Sequence, residues 1–250
     1  MGFNELIILC LISFAVGIVS VSAGGGSLIM VPVLIWLGMA PKNAVATNMF
    51  ALVFLSITGA VGFGKQVKPN HYKMIALFSA LTIFSSFIGA KFVVDIDAEL
   101  LKKIIAVMMC IISGFFIFQK DVGIIEKTGA TSKFKFIIGT LLVFILGVYG
   151  GFFSGGYVTV LSYVLILTFG FSFLQVAFIT KVLNTFSSLA ACAFFYYYGL
   201  IDFYVGIPLS ISMLSGGFLG AKLAVAKGNR WVRNLFIVTV IILAIKLLVF

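Results

Sequence analysis

Gly24-Gly25-Gly26-Ser27 interrupts a long apolar run near the start of this chain, and Ser154-Gly155-Gly156-Tyr157 interrupts another half a chain later. No other feature constrains the fold as strongly. Glycine packs no side chain and loses the most backbone entropy in a helix, so contiguous glycines break one. Within lipid a broken helix persists only where the freed N–H and C=O groups meet protein, water or a ligand. Two such breaks in corresponding halves of a hydrophobic chain point to the binding site of a transporter.

The chain is apolar enough for lipid to be its solvent. Of its 250 residues 62% are hydrophobic and 10% are charged, against about 25% charged in an ordinary soluble domain; the mean hydropathy is +1.26. The reading is an all-α membrane protein, multi-pass, of the cell membrane and by expectation a prokaryotic inner membrane. A net charge of +10 does not indicate nucleic acid as partner, because the charges sit in short loops between apolar spans, where they orient a membrane protein. Cys10, Cys110 and Cys192 lie within apolar segments without a CxxC spacing, so they are read as small buried hydrophobes. Residues 1–5 carry no basic group ahead of the first apolar segment, which argues against a cleaved signal peptide and for a retained first helix.

A span needs about 20 apolar residues. By that measure the first half holds Leu6–Ala23, Leu28–Ala40, Ala44–Phe63, Met74–Val94 and Ile104–Phe118. The second holds Phe136–Phe153, Tyr157–Phe173, Leu174–Ile201, Phe203–Ala226 and Leu235–Phe250. This divides the chain into a first membrane repeat (1–118), a cytoplasmic linker (119–135) and a second membrane repeat (136–250). Leu28–Ala40 has only 13 residues and abuts the glycines, so it reads as a half-helix or the returning limb of a re-entrant hairpin.

The halves echo each other at near-constant offset: 130 from Gly25 to Gly155, 133 from Thr47 to Thr180, and 131 from Gly89-Ala90-Lys91 to Gly220-Ala221-Lys222. Loop charge relates the halves. Lys65, Lys68 and Lys73 follow segment three of the first half, and Asp95, Asp97 and Glu99 follow segment four; in the second half Asp202 follows segment three, while Lys227, Arg230 and Arg233 follow segment four. Equivalent loops lie on opposite sides by the positive-inside rule, so the fold class expected is two inverted repeats with glycine-broken or re-entrant helices. Inversion requires an odd number of crossings per repeat. Five crossings satisfy it, and so do three crossings plus a hairpin.

Lys181 stands well inside an apolar segment. A lysine at the bilayer centre costs about 2.5–3.5 kcal/mol on insertion scales, so it lines a cavity or has a partner; a substrate-facing cation and a structurally paired lysine both remain open. Asn48, its counterpart in the first half, can donate hydrogen bonds from the same height. Asn184, three residues on, shares the Lys181 face. Lys91, Lys222, Lys102 and Lys103 lie near segment ends and can snorkel, and His71 is expected to be solvated in a loop. Around Gly24, Gly25, Gly26 and Ser27, and again around Ser154, Gly155 and Gly156, exposed backbone amides at a helix start suit an anion; close helix packing is the alternative use of such glycines. With Thr47, Asn48, Thr180, Lys181 and Asn184 these residues form a set of donors plus one cation and no carboxylate. No HExxH, GxSxG or P-loop occurs and every acidic residue lies in a loop or at a span end, which argues against an enzyme and against a metal or other cofactor.

The motifs Ala23-Gly24-Gly25-Gly26-Ser27-Leu28-Ile29-Met30-Val31-Pro32, Ala44-Val45-Ala46-Thr47-Asn48 and Gly89-Ala90-Lys91 resemble those of the sulfite exporter TauE/SafE family of anion permeases. The second half carries echoes at Gly155-Gly156, Thr180 and Gly220-Ala221-Lys222, but departs at Ser162, where a proline is expected, and at Lys181, where a small polar residue is usual. The resemblance implies secondary transport of a small sulfur oxyanion or organosulfonate such as sulfite, thiosulfate or sulfoacetate. Expected partners are that anion, a coupling proton or ion, and the bilayer. A channel-like anion pore and a non-transporting assembly subunit are the alternatives.

Overall fold

A computed structural model describes residues 2–64, 71–117 and 132–249. Lys65, Lys68, Lys120, Lys127 and linker positions 119–131 lie outside the described residues, as do the side chains of Cys110, Arg230 and Arg233. The described elements are α1 (Phe3–Ala23), α2 (Gly26–Trp36), α3 (Pro41–Phe63), α4 (Tyr72–Asp95), α5 (Ala98–Ile117), α6 (Lys133–Phe152), α7 (Tyr157–Phe169), α8 (Phe173–Tyr197) and α9 (Phe203–Val249), with no strand among the described residues. Within α9 the helix is interrupted at Gly228, at φ 77°, so it comprises the last two segments expected from hydropathy. Six of the described helices are long and apolar enough to cross a membrane. The distribution of side chains suits lipid: Leu11, Val61, Phe84 and Ile137 are exposed, while Thr47, Asn48, Ser56, Thr82, Ser85, Ser86 and Ser188 are buried.

Interhelical contacts fix the chain directions. The start of α3 meets the ends of α4 and α8 through Lys42 Nζ to Val94 O (2.6 Å) and Asn43 Nδ2 to Leu200 O (3.0 Å). This end of the bundle carries Asp95, Asp97, Glu99 and Asp202. Asp97 accepts from the backbone N–H of Glu99 and Leu100 at the entry to α5; those N–H groups, Leu100 foremost, hold its carboxyl below the usual carboxylate range. The opposite end carries Lys73, Lys133, Lys135 and Lys227. There His71 is half-buried with its ring edge-on to Phe171 at 5.0 Å, and is not the solvated loop residue expected.

Helices α1, α3 and α9 run parallel from the acidic end. Gly17 packs on Met213 and Gly217, Gly220 on Ile18 and Val21, and Gly62 on Ala221. Helices α4, α6 and α8 run the other way: Phe78 stacks with Phe136, Gly89 abuts Phe152, and Ser86 Oγ lies 2.6 Å from Ser187 Oγ. Equivalent glycines therefore do equivalent work, Gly220 bringing α9 onto α1 and Gly89 bringing α4 onto α6.

These directions decide the open question about the short segments. Since α1 and α3 both start at the acidic end, α2 must return the chain there, so α1 and α2 form a hairpin. At the basic end α6 and α7 form a second, with Phe169 of α7 edge-on to Phe136 at the start of α6. The returning limbs have 11 and 13 residues, about 16 and 20 Å of helix, too short to cross a hydrocarbon core of ~30 Å. Segment Tyr157–Phe173 is shorter than expected: α7 ends at Phe169 because Gly170, at φ 76°, caps it. Helices α3 and α8 pack antiparallel between the hairpins, with Asn184 of α8 bonded to Ser56 of α3.

Candidate functional site

The two glycine breaks meet each other. Gly24 and Gly25 adopt φ of 77° and 80°, a left-handed conformation that ends α1 and turns the chain into α2. A Cβ on Gly24 would lie 2.6 Å from Thr159 Oγ1 and 3.2 Å from Thr159 N in the first turn of α7. Reciprocally, a Cβ on Gly155 would lie 2.8 Å from Leu28 in the first turn of α2. The second break turns through Ser154 at φ 61° and Gly156 at φ 75°. Two helix N-termini thus converge from hairpins that enter at opposite ends of the bundle. Both close packing and helix interruption are realised, and Gly24 serves both.

Helices α3 and α8 supply the polar side chains around this junction, and all of them are buried. Asn48 Nδ2 donates to Ser27 Oγ at 2.8 Å, while Asn48 Oδ1 has no partner among the described residues. Asn184 Nδ2 donates to Ser56 Oγ at 2.7 Å, and Asn184 Oδ1 accepts from Ser154 Oγ at 3.4 Å. Lys181 Nζ donates to Ser20 O at 2.9 Å. Its aliphatic stem crosses Gly59 of α3 so closely that a Cβ there would lie 2.7 Å from Lys181 Cγ. Ser20 belongs to the last turn of α1 and its carbonyl also accepts from Gly24 N at 3.0 Å, so the ammonium sits at the negative end of a helix dipole.

Three sequence expectations are corrected. Asn48 and Lys181 are not at the same height. Lys181 covers Gly59, 11 residues along α3 from Asn48, a separation of about 16 Å on that helix; antiparallel α3 and α8 put equivalent residues on opposite sides of the centre. Thr47 does not face the junction, because its hydroxyl accepts from Asp202 N (3.0 Å) at the acidic end. Thr180 directs its hydroxyl back to Val176 O (2.7 Å) on its own helix. The junction therefore gathers Gly24, Gly25, Gly26, Ser27, Asn48, Ser154, Gly155, Gly156, Lys181 and Asn184, while the hydroxyls of Thr47 and Thr180 bond away from it.

Sequence reasoning missed Ser20, Ser56, Gly59, Tyr149 and Thr159. Ser20 had a signal, since a helix that stops inside an apolar segment gathers partial negative charge on the carbonyls of its last turn. Tyr149 similarly precedes the second break, and its hydroxyl donates to Gly155 O. Ser56 and Gly59 had none, being unremarkable small residues in an apolar helix.

The family model described as "Sulfite exporter TauE/SafE" matches residues 9–247. Among curated proteins, a "Probable membrane transporter protein" of Haemophilus influenzae is 28% identical over 246 residues, 98% of this chain and 95% of the relative. "Probable membrane transporter protein ORF9" of a Sinorhizobium species is 25% identical, covering 99% of this chain and 94% of its own. "Probable membrane transporter protein YfcA" of Escherichia coli K12 is 25% identical, covering 96% and 88%. No solved structure gives a significant match. With a membrane-spanning bundle, two broken hairpins meeting at a buried polar junction, and a family match along nearly its whole length, the chain belongs to the TauE/SafE family of membrane transporters.

Proposed function

We propose that the chain is a secondary transporter that carries a small anion by alternating access, with the solute held where the two glycine breaks meet. The solute class is a sulfur oxyanion or organosulfonate of the sulfite, thiosulfate or sulfoacetate type. One observation carries the choice of an anion. Lys181 is buried with a single hydrogen bond among the described residues, to Ser20 O, so two of its three N–H groups are free to meet oxyanion oxygens beside two helix N-termini. Helices α1, α3 and α8 hold one acidic residue between them, Glu5, 15 positions before Ser20, so among the described residues no carboxylate of these helices competes for the ammonium.

Backbone amides at the starts of α2 and α7 receive the anion, Ser27, Asn48 and Asn184 orient it, and Lys181 supplies charge. Opposed entry of the hairpins α1–α2 and α6–α7, and the matched pairs α1–α9 and α6–α4, support two inverted repeats. Rocking one repeat against the other then exposes the junction to each side in turn, driven by a coupling proton or ion.

Proteoliposome uptake of sulfite, thiosulfate, sulfoacetate and a carboxylate, by wild type and Lys181→Met, tests the reading. Methionine keeps the packing over Gly59 while removing the charge. Wild type is expected to take up at least one sulfur anion with counterflow, and Lys181→Met to lose about tenfold or more, the worth of one charge-assisted hydrogen bond. Uptake by Lys181→Met equal to wild type removes the lysine from the site, and an ohmic current without counterflow makes the protein a pore.

A further inference from the structure

The last turn of α1 is where the two halves exchange a charge. A helix that stops inside a membrane leaves carbonyls without partners and a partial negative charge at its end. Broken transporter helices commonly satisfy such ends with a mobile cation, which then couples ion flow to transport. In this chain the position is already taken. Lys181 Nζ, from the other half, lies 2.9 Å from Ser20 O, the carbonyl that also accepts the Gly24 N–H at the break itself. The stem is locked by Gly59, which leaves no room for a side chain between α3 and the lysine. The equivalent end of α6 is closed differently: Tyr149 O accepts from Phe153 N and Ser154 N, and the Tyr149 hydroxyl donates to Gly155 O. Each break thus has a carbonyl met by a side-chain donor of the protein itself, the Lys181 ammonium at Ser20 O and the neutral Tyr149 hydroxyl at Gly155 O.

We propose that the Lys181 ammonium is a tethered replacement for a coupling metal cation: it occupies at the end of α1 the place that an alkali ion would otherwise fill, and the transport cycle therefore needs no sodium. Only the consequence for coupling rests on the transport reading above; occupancy of the helix end by the ammonium does not. A corollary is that cutting the side chain back creates a vacant site for a small cation, bounded by Ser20 O, Gly59 and the break.

Purified full-length wild type, Lys181→Ala and Lys181→Met are compared by thermal unfolding in detergent during titration with ethylammonium, sodium or choline chloride at constant ionic strength. Ethylammonium is expected to raise the midpoint of Lys181→Ala saturably, by roughly 2–4 °C above choline. Wild type and Lys181→Met, whose long side chains fill the space, are expected to respond alike to all three salts. A sodium-specific rise in Lys181→Ala supports the proposal equally; no difference between ethylammonium, sodium and choline for that variant overturns it. In parallel, wild-type thiosulfate uptake is expected to be unchanged when choline replaces sodium on both sides of the membrane, and loss of uptake in choline overturns the proposal even if Lys181→Ala does not fold. A wild type that takes up none of the anions refutes the transport reading, and the thermal titration still decides whether the helix end is a cation site.

Discussion

The two broken hairpins solve one problem with unlike chemistry. In the first, two consecutive glycines at positive φ make the turn, and an ammonium from α8 meets the end of α1. In the second, a serine takes the first left-handed position, and a tyrosine from the preceding helix turn closes the break with a neutral hydroxyl. The first break takes its side-chain donor from the other half of the molecule; the second takes it from its own half. The difference places the charge of the junction on one side only, so the two ends of the junction are chemically unequal.

Substitutions at equivalent positions can break this contrast. The largest effect is expected from Gly24→Val, which forces a β-branched residue to φ 77° and into Thr159 Oγ1. Overpacking and left-handed strain together cost about 3 kcal/mol or more, and the yield of monodisperse protein in detergent should collapse; normal yield and unfolding midpoint would mean that the breaks do not touch. Tyr149→Phe comes next. It leaves Gly155 O without its donor at a cost of about 1 kcal/mol, a fall in midpoint of roughly 2–4 °C, while the order of preference among anions stays as in wild type. A changed preference would show that the second break also selects the solute. Ser154→Gly should do least: relief of left-handed strain offsets loss of the long bond to Asn184, for a net change within about 0.5 kcal/mol. A loss comparable with Gly24→Val would erase the contrast between the hairpins.

Much of this was legible before any coordinates. Leu28–Ala40 is too short to span, and α2 is a half-helix; the offsets of Gly89 and Gly220 mark glycines that perform the same packing in the two halves. Lys181 stood out because a lysine among apolar residues needs a reason. Its partner did not, since a backbone carbonyl 161 positions away leaves no mark on residue type. The directions of the Thr47 and Thr180 hydroxyls leave no mark in the sequence for a related reason. A buried threonine looks the same in sequence whether it faces a solute, a neighbouring loop or its own helix.

Residue chemistry by itself determined the solvent, the number of apolar segments, where the helices break and the sign of charge available inside the membrane. These follow from local properties: hydrocarbon excludes unpaired backbone groups, and glycine cannot sustain a helix. Tertiary structure alone decided that each short segment returns to the end it came from, that the breaks face each other, and that Asn48 and Lys181 sit at opposite depths. Those outcomes depend on which helices run parallel, and direction is set by packing between residues far apart in the chain. The ammonium of Lys181 shows the division: the sequence demands a partner for it, and only the fold brings the end of α1 within reach.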